Sequence, residues 1–161
     1  MRKIWPWGIA VTVFLADRVT KALVPGIPEA GKTLIPGIIG LRYAENRGIA
    51  FSLLSGIPWV LGAVSLIIIA AVFFSLRGKK LHPLALTGLM MMLGGAAGNM
   101  ADRFVHGFVP DMIEFLFMDF AIFNVADTFL CIGCLLVILW LLFGKEQKPL
   151  PSGKDTWRQS Q

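Results

Sequence analysis

From Ile57 to Leu76 the chain runs for twenty residues without a charge, and Pro83 to Ala101 and Ala121 to Phe143 form two more apolar runs of similar length. A helix needs about 20 predominantly apolar residues to cross the roughly 30 Å of hydrocarbon in a bilayer. A fourth run, Ile4 to about Val24, is interrupted late by Asp17, Arg18 and Lys21. A chain of 161 residues that is 56% hydrophobic and 16% charged is too oily for an ordinary water-soluble domain. The expectation is an integral membrane protein, mainly α, with four transmembrane helices.

The first run also has the outline of a secretory signal peptide, since Arg2 and Lys3 precede a short apolar stretch. No A-x-A-like cleavage site follows it, and Asp17 and Lys21, four apart, share one helical face where they neutralise each other in part. We read it as an uncleaved first span. Orientation comes from the basic residues. Arg2 and Lys3, then Arg77, Lys79 and Lys80, then Lys145, Lys148, Lys154 and Arg158 make nine of the fifteen Lys and Arg, and only Glu146 and Asp155 accompany them. The positive-inside rule puts these segments, with both termini, in the cytoplasm, and Pro25 to Gly56 and Arg103 to Phe120 outside. The net charge of +5 then reflects topology, and no basic stripe with interleaved aromatics points to nucleic acid.

Within this oily chain, Gly94 to Asp127 stands out for its small residues, amides and carboxylates. Ionisable groups are expensive in lipid, so Asn99, Asp102, Arg103, Asp111, Asn124 and Asp127 form a candidate functional cluster. Each part also has a plainer reading. Gly94 and Gly98 make a small-xxx-small face for close helix packing. Asn99, Asp102 and Arg103 lie on one side of a helix end and could be a hydrated, self-paired terminus. Asn124 and Asp127 have the spacing of a capping box. What favours function is convergence: Asp111 and Asp127 can meet near the outer membrane boundary, because Asp127 lies within about 10 Å of the start of the fourth span. Phe108 to Phe120, rich in Phe and Met with acids between, suits a piece lying in the interface.

The first external segment opens with turn signals, including Pro36-Gly37, and continues as LRYAENRGIAFSLL with alternating Leu41, Tyr43, Ile49 and Phe51. A small β element resting on the helices or on lipid is expected. Asn46-Arg47-Gly48 reads either as a hairpin turn alone or as a turn with a task. Cys131 and Cys134 are read as small buried side chains in the fourth span, in preference to a redox or metal pair. His82 is read as solvated beside the cytoplasmic link. His106 lacks the spacing of a metal motif, so no metal and no cofactor are expected.

A carboxylate pair at a membrane boundary suits two chemistries. In an aspartic peptidase, one carboxylate activates water while its protonated partner polarises the carbonyl. In a proton-coupled transporter or assembly factor, the pair is a relay, which predicts acids spread through the bilayer and repeated halves. Here the acids cluster at one face.

The blocks DRVTK (Asp17 to Lys21), ENRGIAFS (Glu45 to Ser52), GNMADR (Gly98 to Arg103), VPDMIEF (Val109 to Phe115) and FNVADT (Phe123 to Thr128) resemble bacterial lipoprotein signal peptidase, signal peptidase II. The resemblance covers the chain up to about Phe143. It implies four transmembrane helices, an extracytoplasmic β-cradle, a short interfacial helix, and cleavage of prolipoproteins before the diacylglyceryl-modified cysteine of the lipobox. It makes Asp111 and Asp127 the catalytic dyad. Asn46, Gly48, Asn99, Arg103 and Asn124 become residues that bind substrate or orient the dyad. Asp17 and Lys21 then read as a structural ion pair, with Asp102 pairing locally with Arg103. Pro110 and Ile49 depart from the family's usual small aliphatic residue and alanine. The implied protein is a single domain over 1–143 with a polar cytoplasmic tail over 144–161. It sits as a monomer among the lipids of the bacterial cytoplasmic membrane, its active site near the outer face.

Overall fold

A computed structural model describes residues 5–28, 30–48 and 56–144. Four α-helices hold up a three-stranded antiparallel sheet. They are α1 (Trp5–Ala22), α2 (Pro58–Leu76), α3 (Pro83–Val105) and α4 (Val125–Phe143), with β1 (Lys32–Ile35) and β2 (Ile39–Asn46) between α1 and α2, and β3 (Val109–Phe115) between α3 and α4. Three of the helices, α2, α3 and α4, are long and apolar enough to cross a membrane. Helix α1 is 18 residues long and carries Asp17, Arg18 and Lys21 in its last turns.

Local chemistry explains where the helices begin and end. Both α2 and α3 have proline in the first turn, where no backbone N–H is needed. The His82 Nδ1 accepts the Leu84 N–H at 3.2 Å and caps α3, which stops at Gly107 with φ +74°. The start of α4 is the capping box read from its sequence: Asn124 Oδ1 accepts the Asp127 N–H at 2.9 Å, and Asp127 Oδ2 accepts the Asn124 N–H at 3.2 Å.

Helix α3 is the centre of the bundle, packed against α1, α2 and α4. Its glycines set the approach. A Cβ on Gly88 would stand 2.5 Å from the Gly133 carbonyl oxygen of α4, and one on Gly133 would stand 2.5 Å from the Gly88 oxygen, so two backbones touch where no side chain fits. Gly94 faces α1 at Ala10 and Val13, while Gly95 faces α4 at Ala126.

The sheet has the order β1-β2-β3, so the two links that leave the same end of the bundle are joined side by side. The β1–β2 turn uses Pro36-Gly37, with Gly37 at φ +71° and the Ile38 N–H donating to the Ile35 oxygen at 3.0 Å. In the β2–β3 pairing, Ala44 faces Asp111 and Asn46 faces Val109. Residues 108–120 were expected to lie as an interfacial piece. Within them 109–115 is a strand, because β2 offers it a partner far away in sequence and Phe123 closes its other side through a bridge to Ile113. Pro110 is accommodated on this last strand of the sheet, where a missing donor is tolerated. Beyond the four α-helices, the described residues hold only one short helical turn, Val24–Gly26, and no interfacial helix. Ile49, Phe51 and the tail from Lys145 lie outside the described residues.

Cys131 and Cys134 are exposed, contrary to expectation. Gly133 between them is the residue pressed against α3, which turns both thiols outward.

Candidate active site

The polar residues of the sequence come together where α3 ends, α4 begins and β3 crosses. Asp111, in β3, is 2% exposed, and Asn124, the cap of α4, is fully buried. Asn124 Nδ2 donates to Asp111 Oδ1 at 2.6 Å, while its backbone N–H donates to Asp127 Oδ2 at 3.2 Å. One residue thus holds both carboxylates. Asn46 Nδ2, at the end of β2, donates to Asp111 Oδ2 at 3.0 Å, and Asn99 Nδ2, on α3, donates to Asp127 Oδ1 at 2.7 Å. Each oxygen of each carboxylate accepts an N–H, so the pair is fixed in place by four donors. Burial pushes the Asp111 carboxyl up from its ordinary 3.8 to about 6, and the nearby charge of Asp127 adds to this. The amides of Asn124 and Asn46 and the charge of Lys21 act in the opposite sense.

The other candidates fall into two groups. Arg103 reaches from α3 to the end of β2, donating to the Gly48 oxygen at 2.9 Å and to the Asn99 oxygen at 3.3 Å. The Gly48 N–H in turn donates to Asn46 Oδ1 at 3.1 Å, so the turn after β2 holds the amide that meets Asp111. The second group is an ion-pair cluster on α1 and α3. Lys21 Nζ donates to Asp17 Oδ2 at 2.9 Å, to Asp102 Oδ2 at 2.7 Å and to Asn99 Oδ1 at 2.8 Å. Asp102 does not pair with Arg103, whose guanidinium is taken up by the Gly48 and Asn99 oxygens. Its partners are Lys21 and Arg18, whose guanidinium donates to both its oxygens at 2.6 and 2.7 Å. Asp17 also takes an Arg18 donor at 2.8 Å, and its Oδ1 accepts the Ala126 N–H of α4 at 3.1 Å. Gly98 makes room for this carboxylate, since a Cβ there would stand 2.5 Å from Asp17 Oδ2.

Sequence reasoning overlooked Arg18. Its signal was there, as a third charge within five residues of an apolar run, one more than the Asp17–Lys21 pair required. His106 is about half exposed, with Nδ1 3.6 Å from Asp102 Oδ1. Among the described residues no group of three His, Cys, Asp or Glu is arranged to hold a metal ion.

A cavity of about 410 Å³ opens beside Asp111, lined by Ala44, Glu45, Asn46, Asp119 and Phe120 among others. A larger one, about 530 Å³, lies against Arg18, Tyr43, His106 and Phe108, and neither carboxylate of the pair lines it. The smaller cavity is therefore the one that reaches the pair, through Asp111.

Comparison with known proteins identifies the family. A family model described as signal peptidase (SPase) II matches residues 9–143. The lipoprotein signal peptidase of Syntrophomonas wolfei is 37% identical over 145 residues, covering 88% of this chain and 96% of its own. That of Nostoc punctiforme is 40% identical over 155 residues, covering 92% and 94%. A solved structure described as a bacterial membrane enzyme, determined in meso at 2.3 Å, superposes with a TM-score of 0.77 at 32% identity, covering 88% of this chain and 92% of that one. A second, at 1.9 Å, gives a TM-score of 0.74 at the same identity. With its apolar helices and with a match over nearly the whole of their length, the chain is a membrane protein that belongs to the signal peptidase II family.

Proposed function

We propose that this protein is an aspartic endopeptidase that removes the signal peptide from prolipoproteins, cutting before the diacylglyceryl-modified cysteine, with Asp111 and Asp127 as its catalytic dyad. The observation that carries the reading is Asn124, which donates to both carboxylates from one buried cap. Two carboxylates sharing a site cannot both ionise cheaply, so one keeps a proton while the other stays charged. The charged member takes a proton from water as the water oxygen bonds to the scissile carbonyl carbon. Its partner hydrogen-bonds the carbonyl oxygen and stabilises the tetrahedral intermediate. When the C–N bond breaks, the leaving nitrogen receives a proton from the dyad, and the pair returns to its starting state with one proton. Asn46, Asn99 and Asn124 hold the carboxylates in place through these steps, and Arg103 with Gly48 holds the β2 end that borders the substrate cavity.

The same reading places four helices across the bacterial cytoplasmic membrane. In α1, the charges of Asp17, Arg18 and Lys21 meet Asp102 of α3, two cations against two carboxylates, so this cluster enters the bilayer neutral. Both termini face the cytoplasm, and the sheet and dyad face outward, where a cysteine anchored by diacylglycerol stays at the lipid interface.

The test is cleavage of a purified prolipoprotein with and without the diacylglyceryl group. The expected result is a single cut before the modified cysteine and none in the unmodified substrate. Equal cleavage of both, or a cut elsewhere, would overturn the substrate assignment.

A further inference from the structure

We propose that Lys21 is a positioning residue for the dyad: by donating to Asn99 Oδ1, it fixes which end of the Asn99 amide meets Asp127. This rests on the reading of Asp111 and Asp127 as the catalytic pair.

An asparagine amide has an acceptor end and a donor end. The Lys21 ammonium has donors only, so at 2.8 Å it can meet only the oxygen of Asn99. That choice turns Nδ2 toward Asp127 Oδ1, at 2.7 Å. Asn124 is fixed by the same logic, since its oxygen accepts the Asp127 backbone N–H, a donor only. Its Nδ2 therefore faces Asp111 Oδ1 at 2.6 Å and Asn99 Oδ1 at 3.2 Å. Two amides thus present their donor ends to two carboxylates, and each is locked from behind by a group that has no acceptor. Without Lys21, the donor locking Asn99 is reduced to the 3.2 Å contact from Asn124. The amide can then turn over and set its oxygen against a carboxylate oxygen, two acceptors in contact.

Charge balance alone does not explain why Lys21 reaches this far. Arg18 donates to both Asp17 and Asp102, and Lys21 is the second cation that balances these two carboxylates, but its contact with the uncharged Asn99 amide adds nothing to that balance. Lys21 is nonetheless buried, 7% exposed, and held by both of those carboxylates with its third proton on Asn99. An ammonium that satisfies all three of its donors, one of them on an amide of the dyad, is built for direction as well as for charge. The cluster on α1 thereby acts on the reaction without touching it. Asp17 adds to this by accepting the Ala126 N–H, which steadies the turn of α4 that carries Asp127.

The experiment compares kcat and KM of Lys21→Met and Lys21→Gln with the parent on a diacylglyceryl-modified prolipoprotein, with thermal unfolding of each and Asp127→Asn as a control. Lys21→Met lowers kcat by about 10- to 100-fold with KM within about threefold, as expected of a residue that orients a catalytic group from behind. Lys21→Gln still offers an N–H to Asn99 and recovers most of that loss. A Lys21→Met variant that folds and keeps kcat within about twofold of the parent overturns the proposal. So does an equal loss of kcat in the Met and Gln variants. Should Lys21→Met fail to fold, the same Met and Gln pair is made in an Asp102→Asn background, which leaves the buried charges balanced, and the same two results decide. If Asp127→Asn turns over like the parent, the dyad reading fails, whatever Lys21 does.

Discussion

Replacing the Asp111 carboxylate should make the protein inactive and more stable. Asp111 is buried, and its carboxyl is held at about 6 against an ordinary 3.8. At about 1.4 kcal/mol per pH unit, a gap of roughly two units means that keeping this group ionised costs the folded state ~3 kcal/mol. The sign follows from proton binding. A carboxylate whose folded-state value is raised binds its proton more tightly when folded, so the cost is absent below about pH 4, grows between 4 and 6, and is complete above 6. Asp111→Asn removes it. The new amide must, however, turn its NH₂ toward Asn46 or Asn124, both of which donate to Asp111 now, and one lost hydrogen bond takes back about 1 kcal/mol. The expected net gain is therefore ~2 kcal/mol at pH 8, shrinking to nothing or to a small loss near pH 4. Thermal unfolding in detergent, followed by tryptophan fluorescence at several pH values, reads this directly. An Asn variant less stable than the parent at pH 8, or a difference that does not change between pH 4 and 8, would mean that the buried Asp111 charge carries no such cost.

Three further outcomes are expected. Because the dyad gives up its shared proton as pH rises through about 6, kcat/KM should fall on that side, and a pH–rate profile flat from pH 5 to 8 would contradict it. Gly88→Ala puts a methyl where the Gly133 oxygen stands 2.5 Å away, forcing α3 and α4 apart, with a loss of about 1–3 kcal/mol measurable as a lowered Tm. Asp102→Ala leaves Arg18 and Lys21 with Asp17 as their one carboxylate. A stability loss of about 3–5 kcal/mol should appear in the same assay.

Much of this architecture is legible in the residues themselves. An uncharged run bounded by proline and the Arg77 link marks α2 closely, and the three-residue spacing of Asn124 and Asp127 marks the start of α4 down to its reciprocal bonds. The strand β3 was not legible. Its inward positions include Asp111 among apolar residues, which breaks the alternation a strand is read by, and its partner β2 is separated from it by two whole helices. Asp102 misled because its neighbour Arg103 is adjacent in sequence yet points elsewhere on the helix, while its real partners are more than eighty residues away. Cys131 and Cys134 misled for another reason: a helix apolar on every side gives no sign of which face meets protein and which meets lipid. Which residues gather at the site could be read because charged and amide groups are so costly in lipid that each needed a reason. Their pairing could not, because it is settled by which helices the glycines of α3 let approach.

If Asp111 and Asp127 together perform the cleavage, as proposed, neither carboxylate can be replaced. The most direct measurement follows cleavage of a diacylglyceryl-modified prolipoprotein, with a chelator present, by the parent, Asp111→Asn and Asp127→Asn, each checked for folding. The parent should cut, and each folded variant should be inactive. Cleavage by either variant at the parent's rate would contradict this.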